Sequence, residues 1–152
     1  MSDTYSQIYI HIIFAVKGRT CIILPERKDE LYKYISGIVS NHQQKLIAIN
    51  GMGDHIHILS DLKPKVTLSA FVRDIKANSS RFINEKKWIK GNFDWQHGFG
   101  AFSVSQSQLS VVINYIQNQE SHHKTKSFKE EYIEFLKNYK IDFKPEYIFA
   151  DV

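Results

Sequence analysis

Residues 53–59 read Gly-Asp-His-Ile-His-Ile-Leu, with His55 and His57 two apart inside an apolar stretch. Side chains on a strand alternate between its two faces, so in a strand both imidazoles leave one surface while Ile56 and Ile58 leave the other. Two neutral imidazoles side by side form half of a divalent-metal site. A pair of partly exposed strand histidines satisfies the same pattern. A second polar set lies at residues 115–123, Tyr-Ile-Gln-Asn-Gln-Glu-Ser-His-His. On a helix, residues four apart share a face, so Tyr115 and Gln119 point the same way, with His122 a further turn along. A tyrosine hydroxyl can act as a nucleophile and form a covalent intermediate, and a glutamine amide oxygen can complete a metal site begun by two histidines. A core tyrosine beside a surface glutamine fits that spacing too. His122 is near enough to be considered as a base, although a structural role is the stronger expectation for it.

The elements that must carry these residues can be read from periodicity. At 152 residues, 43% hydrophobic and 24% charged, the chain has the composition of one folded domain rather than a disordered segment. Residues 5–17 alternate and are rich in Ile, Tyr and Phe, as in a central strand covered on at least one side. Ile8, Ile10, Ile12, Phe14 and Val16 share one face, and Tyr9, His11, Ile13 and Ala15 the other. His11 is expected to be structural. Pro25 to about His42 has a helical stripe of Leu31, Tyr34, Ile35, Ile38 and Val39 behind a first-turn proline. Residues 45–50 and 55–61 form a hairpin about Gly51-Met52-Gly53-Asp54. A second helix covers about Thr67 to Glu85, a loop rich in Gly and aromatics covers 91–100, and a last strand covers 101–105. A third helix is expected from Gln108 to about Ser121 and a fourth from Phe128 to Tyr139, with Tyr132, Phe135 and Leu136 on its packed side and an extended tail to Val152. The order β-α-β-β-α-β is the split βαβ, ferredoxin-like arrangement in the α+β class. Its antiparallel sheet carries helices on one face and leaves the other for a site or a partner. The expected organisation is one domain over 1–152, with sheet and packing helices at about 5–105, the tyrosine helix at about 108–121 and a C-terminal helix and tail at 127–152.

Charge and redox features narrow the class. A net charge of +4 permits nucleic acid as a partner. Candidate phosphate contacts are Lys17, Arg19, Arg73, Lys76, Arg81, Lys86, Lys87 and Lys90. Candidate base-stacking residues are Trp88, Phe93, Trp95 and Phe99. One cysteine, Cys21, excludes an internal disulfide and suits a reducing compartment. Residues 1–7 are polar and lack a signal-peptide pattern, and the apolar run 8–16 is too short to span a bilayer, so no membrane is expected and a cytoplasmic location is. No G-x-x-x-x-G-K-[ST] loop is present, which argues against a nucleotide cofactor.

Three ordered blocks resemble the single-tyrosine HUH transposases of the insertion-sequence 200/605 type. They are Gly51-Met52-Gly53-Asp54-His55-Ile56-His57-Ile58-Leu59, the segment from Phe93 to Val104, and Tyr115 to His123. The likeness runs from about Tyr5 to Tyr139, and His97 stands where the family more often has Arg or Lys. The resemblance implies that His55 and His57 ligate a magnesium or manganese ion, that Gln119 is the third protein ligand, and that Tyr115 is the nucleophile. It implies single-stranded DNA hairpins at transposon ends as substrate. It also implies a homodimer in which the tyrosine helix of one subunit faces the histidine pair of the other. Attack by such a tyrosine leaves a 5′-phosphotyrosine link and a free 3′-hydroxyl, and strands can be rejoined without ATP. A hard amide oxygen and the absence of a cysteine near the pair favour magnesium or manganese over zinc. Two alternatives stand beside an active transposase. One is a non-catalytic or domesticated hairpin-binding protein on the same fold. The other is a single-strand endonuclease of the replication-initiator or relaxase kind, which the small size and the order of the motifs disfavour.

Overall fold

Four strands form one antiparallel sheet in the order β2-β3-β1-β4, where β1 is Tyr9–Ala15, β2 Leu46–Met52, β3 His55–Asp61 and β4 Gly100–Val104. The structure is a computed structural model and describes residues 3–20, 22–124 and 126–144. The expectations for Cys21, for the Arg19 and His122 side chains and for the end of the extended tail to Val152 lie outside the described residues. Helices α1 (Pro25–Asn41) and α2 (Leu68–Lys86) complete the split βαβ order. Thr67 caps α2, its hydroxyl accepting from the Ala70 amide at 3.1 Å.

Strand alternation divides the molecule into two layers of packing. Ile12, Phe14, Val16, Ile56 and Ile58 go to the face covered by α1 and α2, where they meet Leu31, Ile35, Val39, Phe71, Val72, Ile75 and Ile83. Each such side chain, removed from water, contributes roughly 1.5–3 kcal/mol. The opposite face is covered as well. Ile13, Ala15 and Phe102 pack against Phe128 and Leu136 of α5 (Phe128–Asn138), and Ala48, Leu59 and Val104 pack against Ile116 of α3 (Leu109–Gln117). The expectation of an open second face is therefore corrected: the C-terminal helices carry apolar stripes of their own, and the sheet is where they bury them.

The hairpin joining β2 to β3 pairs Met52 with His55 across the turn Gly53-Asp54. Gly51 has no room for a side chain, since a Cβ there would lie 2.1 Å from the His55 carbonyl oxygen. The expected third helix is broken. It ends at Gln117, and a short α4 (Gln119–His122) begins after Asn118, whose φ of −100° and ψ of 28° leave the helical region. Asn50 on β2 takes the Ile116 and Gln117 carbonyls through its Nδ2 at 3.0 and 3.3 Å. Asn118 turns its own amide onto the Asn114 carbonyl at 2.8 Å. With the Ile116 and Gln117 carbonyls held by Asn50, the helical ladder is not needed to satisfy them beyond Gln117. At the start of α5, Ser127 is the N-cap, its hydroxyl accepting from the Glu130 amide at 3.2 Å. That cap fixes the first turn of α5, and Glu131 lies on it.

Candidate functional site

The register of β3 sends both imidazoles to one face. Ile13 of β1 sits opposite His57, and Ala15 opposite His55. Both histidines are fully buried, and their ring centroids are 5.1 Å apart. The side chains that meet them come from the C-terminal helices of the same chain. Gln119 Oε1 lies 3.0 Å from His55 Nε2, and Glu131 Oε1 lies 3.0 Å from His57 Nε2 and 3.5 Å from His55 Nε2. Tyr115 donates its hydroxyl hydrogen to Glu131 Oε2, which also accepts from Gln119 Nε2 at 3.3 Å. His123 closes the group, its Nε2 3.1 Å from Gln119 Oε1 and 3.3 Å from Glu131 Oε1. Phe128 stacks on His55 at 4.4 Å, and Phe135 stands edge-on to Tyr115 at 5.6 Å, so α5 roofs the cluster.

Of the residues expected at the site, His55, His57, Tyr115 and Gln119 are brought together. Within the single chain, the tyrosine helix and the histidine pair lie against one another. Two members were not foreseen. Glu131 has a signal in hindsight: it lies four residues before Phe135 and directly before Tyr132, so a carboxylate interrupts the apolar stripe of α5. His123 continues the Tyr115–Gln119 spacing by four. The His55, His57 and Glu131 ligand atoms all lie within 4.8 Å of one another, which suits a single cation held by imidazole nitrogens and a carboxylate oxygen.

The electrostatics follow from burial and from the shared carboxylate. Burial works against a charge on His55. Hydrogen bonds to Asp54, 2.7 Å away at Nδ1, and to Glu131 outweigh it and push its pKa up to about 9. Burial dominates at His57 and holds its pKa below the ordinary value despite Glu131. His11 is lowered to about 3, first by burial and then by His57. Burial alone would raise Glu131, but contacts from His123, His55 and His57 hold its carboxyl well below the usual range. Burial and then Glu131 push the Tyr115 phenol well above its ordinary value. A cation at His55 Nε2 would replace a proton there.

The expected DNA contacts separate into three kinds. Trp95 is buried, donates its Nε1 hydrogen to Ser79 Oγ at 2.9 Å and packs edge-on to Phe14 and Phe93. It is a core residue and cannot stack on a base, which corrects that assignment. Phe93 is buried likewise, and half-buried Trp88 packs edge-on to Phe82 beneath the Arg27 guanidinium. Lys76 is engaged elsewhere: its ammonium donates to the Gln96 and Gly98 carbonyls at 2.7 and 2.8 Å and so ties the aromatic loop to α2. Lys17, Arg73, Arg81 and Phe99 are exposed. Arg73 and Phe99 border a cavity of about 430 Å³ between α2 and that loop. Among the described residues no helix is long and apolar enough to cross a membrane.

Comparison with known proteins bears on the family and the fold. The chain is 28% identical over 120 residues to the ISDra2 transposase TnpA of Deinococcus radiodurans, covering 74% of this chain and 84% of that one. It is 24% identical over 115 residues to the transposase for insertion sequence element IS200 of Salmonella typhimurium, covering 72% and 74%. Among solved structures, a transposase from Deinococcus radiodurans superposes with a TM-score of 0.62 at 24% identity, over 78% of this chain and 95% of that one. A REP-associated tyrosine transposase bound to a REP hairpin superposes with a TM-score of 0.61 at 17% identity, over 81% and 74%. Residues 4–119 match the family described as transposase IS200 like, and the chain belongs to that family.

Proposed function

We propose that the protein cleaves and rejoins single-stranded DNA at hairpin-bearing transposon ends, with Tyr115 as the nucleophile and a magnesium or manganese ion held by His55, His57, Glu131 and Gln119. One observation carries this: the Tyr115 hydroxyl and both imidazoles converge on one carboxylate, Glu131, within a single chain. In the reaction the phenol oxygen bonds to phosphorus and the phosphorus bond to the leaving 3′-oxygen breaks, leaving a 5′-phosphotyrosine. The phenol is a weak nucleophile while protonated. Glu131 Oε2 already accepts its hydrogen and is positioned to take the proton as the bond forms. A divalent cation supplies Lewis-acid stabilisation of the charge that builds on the phosphate oxygens. Nitrogen and oxygen donors without thiolate suit magnesium or manganese.

The substrate class rests on the family and on the relative whose structure holds a REP hairpin. The exposed Lys17, Arg73 and Arg81 remain phosphate contacts in this account, and the cytoplasm is the compartment where such DNA is met. One chain furnishes the whole constellation, so a homodimer is not required to complete it. Dimerisation, which the family resemblance implies, then serves to hold two DNA ends together. One observation favours the binder instead: both imidazoles are sealed under α5, so a phosphate reaches them only if that helix shifts. The test is incubation with labelled single-stranded DNA from the flanks of the element, with Mn²⁺. A covalent adduct that disappears in Tyr115→Phe supports catalysis. Hairpin binding without an adduct in the wild type supports the non-catalytic protein.

A further inference from the structure

His11 lies on β1 with 1% of its surface exposed. Its Nε2 is 2.8 Å from His57 Nδ1, with the ring centroids 5.0 Å apart and the planes tilted by 34°. Phe135 stands edge-on to it at 5.2 Å, and Phe102 and Tyr115 each lie at 6.4 Å. The ring therefore sits in an aromatic box and meets the back of a site imidazole. His55 has a different arrangement, since its Nδ1 meets the Asp54 carboxylate.

We propose that His11 is a positioning residue for the cation site, accepting the Nδ1 hydrogen of His57 and so presenting His57 Nε2 as a ligand. The inference rests on the metal role given to His57 above. An imidazole that ligates through Nε2 needs its lone pair there, so its single hydrogen sits on Nδ1 and must be donated to something. His11 Nε2 is the atom placed to receive it. When His57 Nε2 instead donates to Glu131 Oε1, 3.0 Å away, Nδ1 becomes an acceptor and His11 Nε2 is the donor. A histidine serves both arrangements because the same ring nitrogen can donate or accept. A phenylalanine serves neither, whereas a glutamine can accept through its amide oxygen. Ring orientation is gained as well, because the hydrogen bond prevents rotation of His57 about its last torsion.

The test is Mn²⁺ binding followed by electron paramagnetic resonance, beside thermal melts in EDTA, for the wild type, His11→Gln and His11→Phe. Loss of an outer partner of a ligating histidine typically weakens metal binding by about 10–100-fold. His11→Phe should show that loss while melting within a few degrees of the wild type. His11→Gln should bind within about threefold of the wild type, well short of that loss. If the phenyl ring does not pack, His11→Leu is the acceptor-free variant. A folded acceptor-free variant with wild-type Mn²⁺ affinity would overturn the proposal. So would a glutamine variant as weak as the apolar one, because His11 would then act by shape alone. If the wild type takes up no Mn²⁺, the metal role of His57 fails first and this inference falls with it.

Discussion

Replacing Glu131 by Gln tests the shared carboxylate. Its Oε1 faces three imidazole nitrogens at 3.0, 3.3 and 3.5 Å, and its Oε2 accepts from Tyr115 and Gln119. The His55 pKa of about 9 lies about 2.5 units above its ordinary 6.5. At about 1.4 kcal/mol per unit, Asp54 and Glu131 together contribute about 3 kcal/mol to stability through His55, and only the Glu131 share is lost in the variant. A raised folded-state pKa stabilises fully below the unfolded value, so the contribution is complete below about pH 6.5. It declines as the pH rises and is gone above about pH 9. Removing one partner of a buried pair costs about 3–5 kcal/mol. The glutamine keeps the shape and some hydrogen bonds, so the lower figure applies. For a chain of this length, about 3 kcal/mol lowers the Tm by about 6–12 °C. Melts of both proteins in EDTA from pH 6 to 10 should show that gap near pH 6.5 and a smaller one near pH 9.5, where His55 is neutral in both. A variant as stable as the wild type at pH 6.5, or a gap that stays constant with pH, would refute the pairing.

Other outcomes follow from single contacts. Tyr115→Phe should abolish the covalent adduct and cost about 1–3 kcal/mol by removing a hydrogen bond to a charged group, which activity gels and denaturant titration measure. Gly51→Ala should lower the Tm by several degrees, because its Cβ would meet the His55 carbonyl oxygen at 2.1 Å and push β3 out of register. A thermal melt of the purified variant checks this. Trp95→Ala should destabilise the fold by about 3–5 kcal/mol, and the protein that remains folded should bind single-stranded DNA with unchanged affinity in a fluorescence anisotropy titration. A selective loss of DNA affinity would return Trp95 to the stacking residues.

The histidine pair was legible because alternation in β3 is strict and Gly51-Met52-Gly53-Asp54 marks the turn before it. Tyr115 and Gln119 were legible from their spacing of four, which survives the break at Asn118. That break was not, because it arises from Asn50, a residue on another strand, capturing carbonyls at the end of α3. Glu131 escaped because a lone glutamate beside Lys129 and Glu130 resembles a solvated face, and only the docking of α5 on the sheet turns it inward. Trp95 misled for the opposite reason: a tryptophan in a glycine-rich loop resembles an exposed aromatic, yet Ser79 supplies a buried acceptor for its indole. Placement of the tyrosine helix depends on how the chain returns after β4, which no local pattern encodes.

The central claim is that the phenol and the imidazole pair of one chain act on one phosphate, and mixing two inactive variants tests it most directly. Tyr115→Phe retains the imidazoles, and His57→Ala retains the phenol. Co-refolded and incubated with the single-stranded DNA and Mn²⁺, they should give no covalent adduct on either chain. An adduct on the His57→Ala chain would mean that its tyrosine reaches the partner's imidazoles, and would contradict the account.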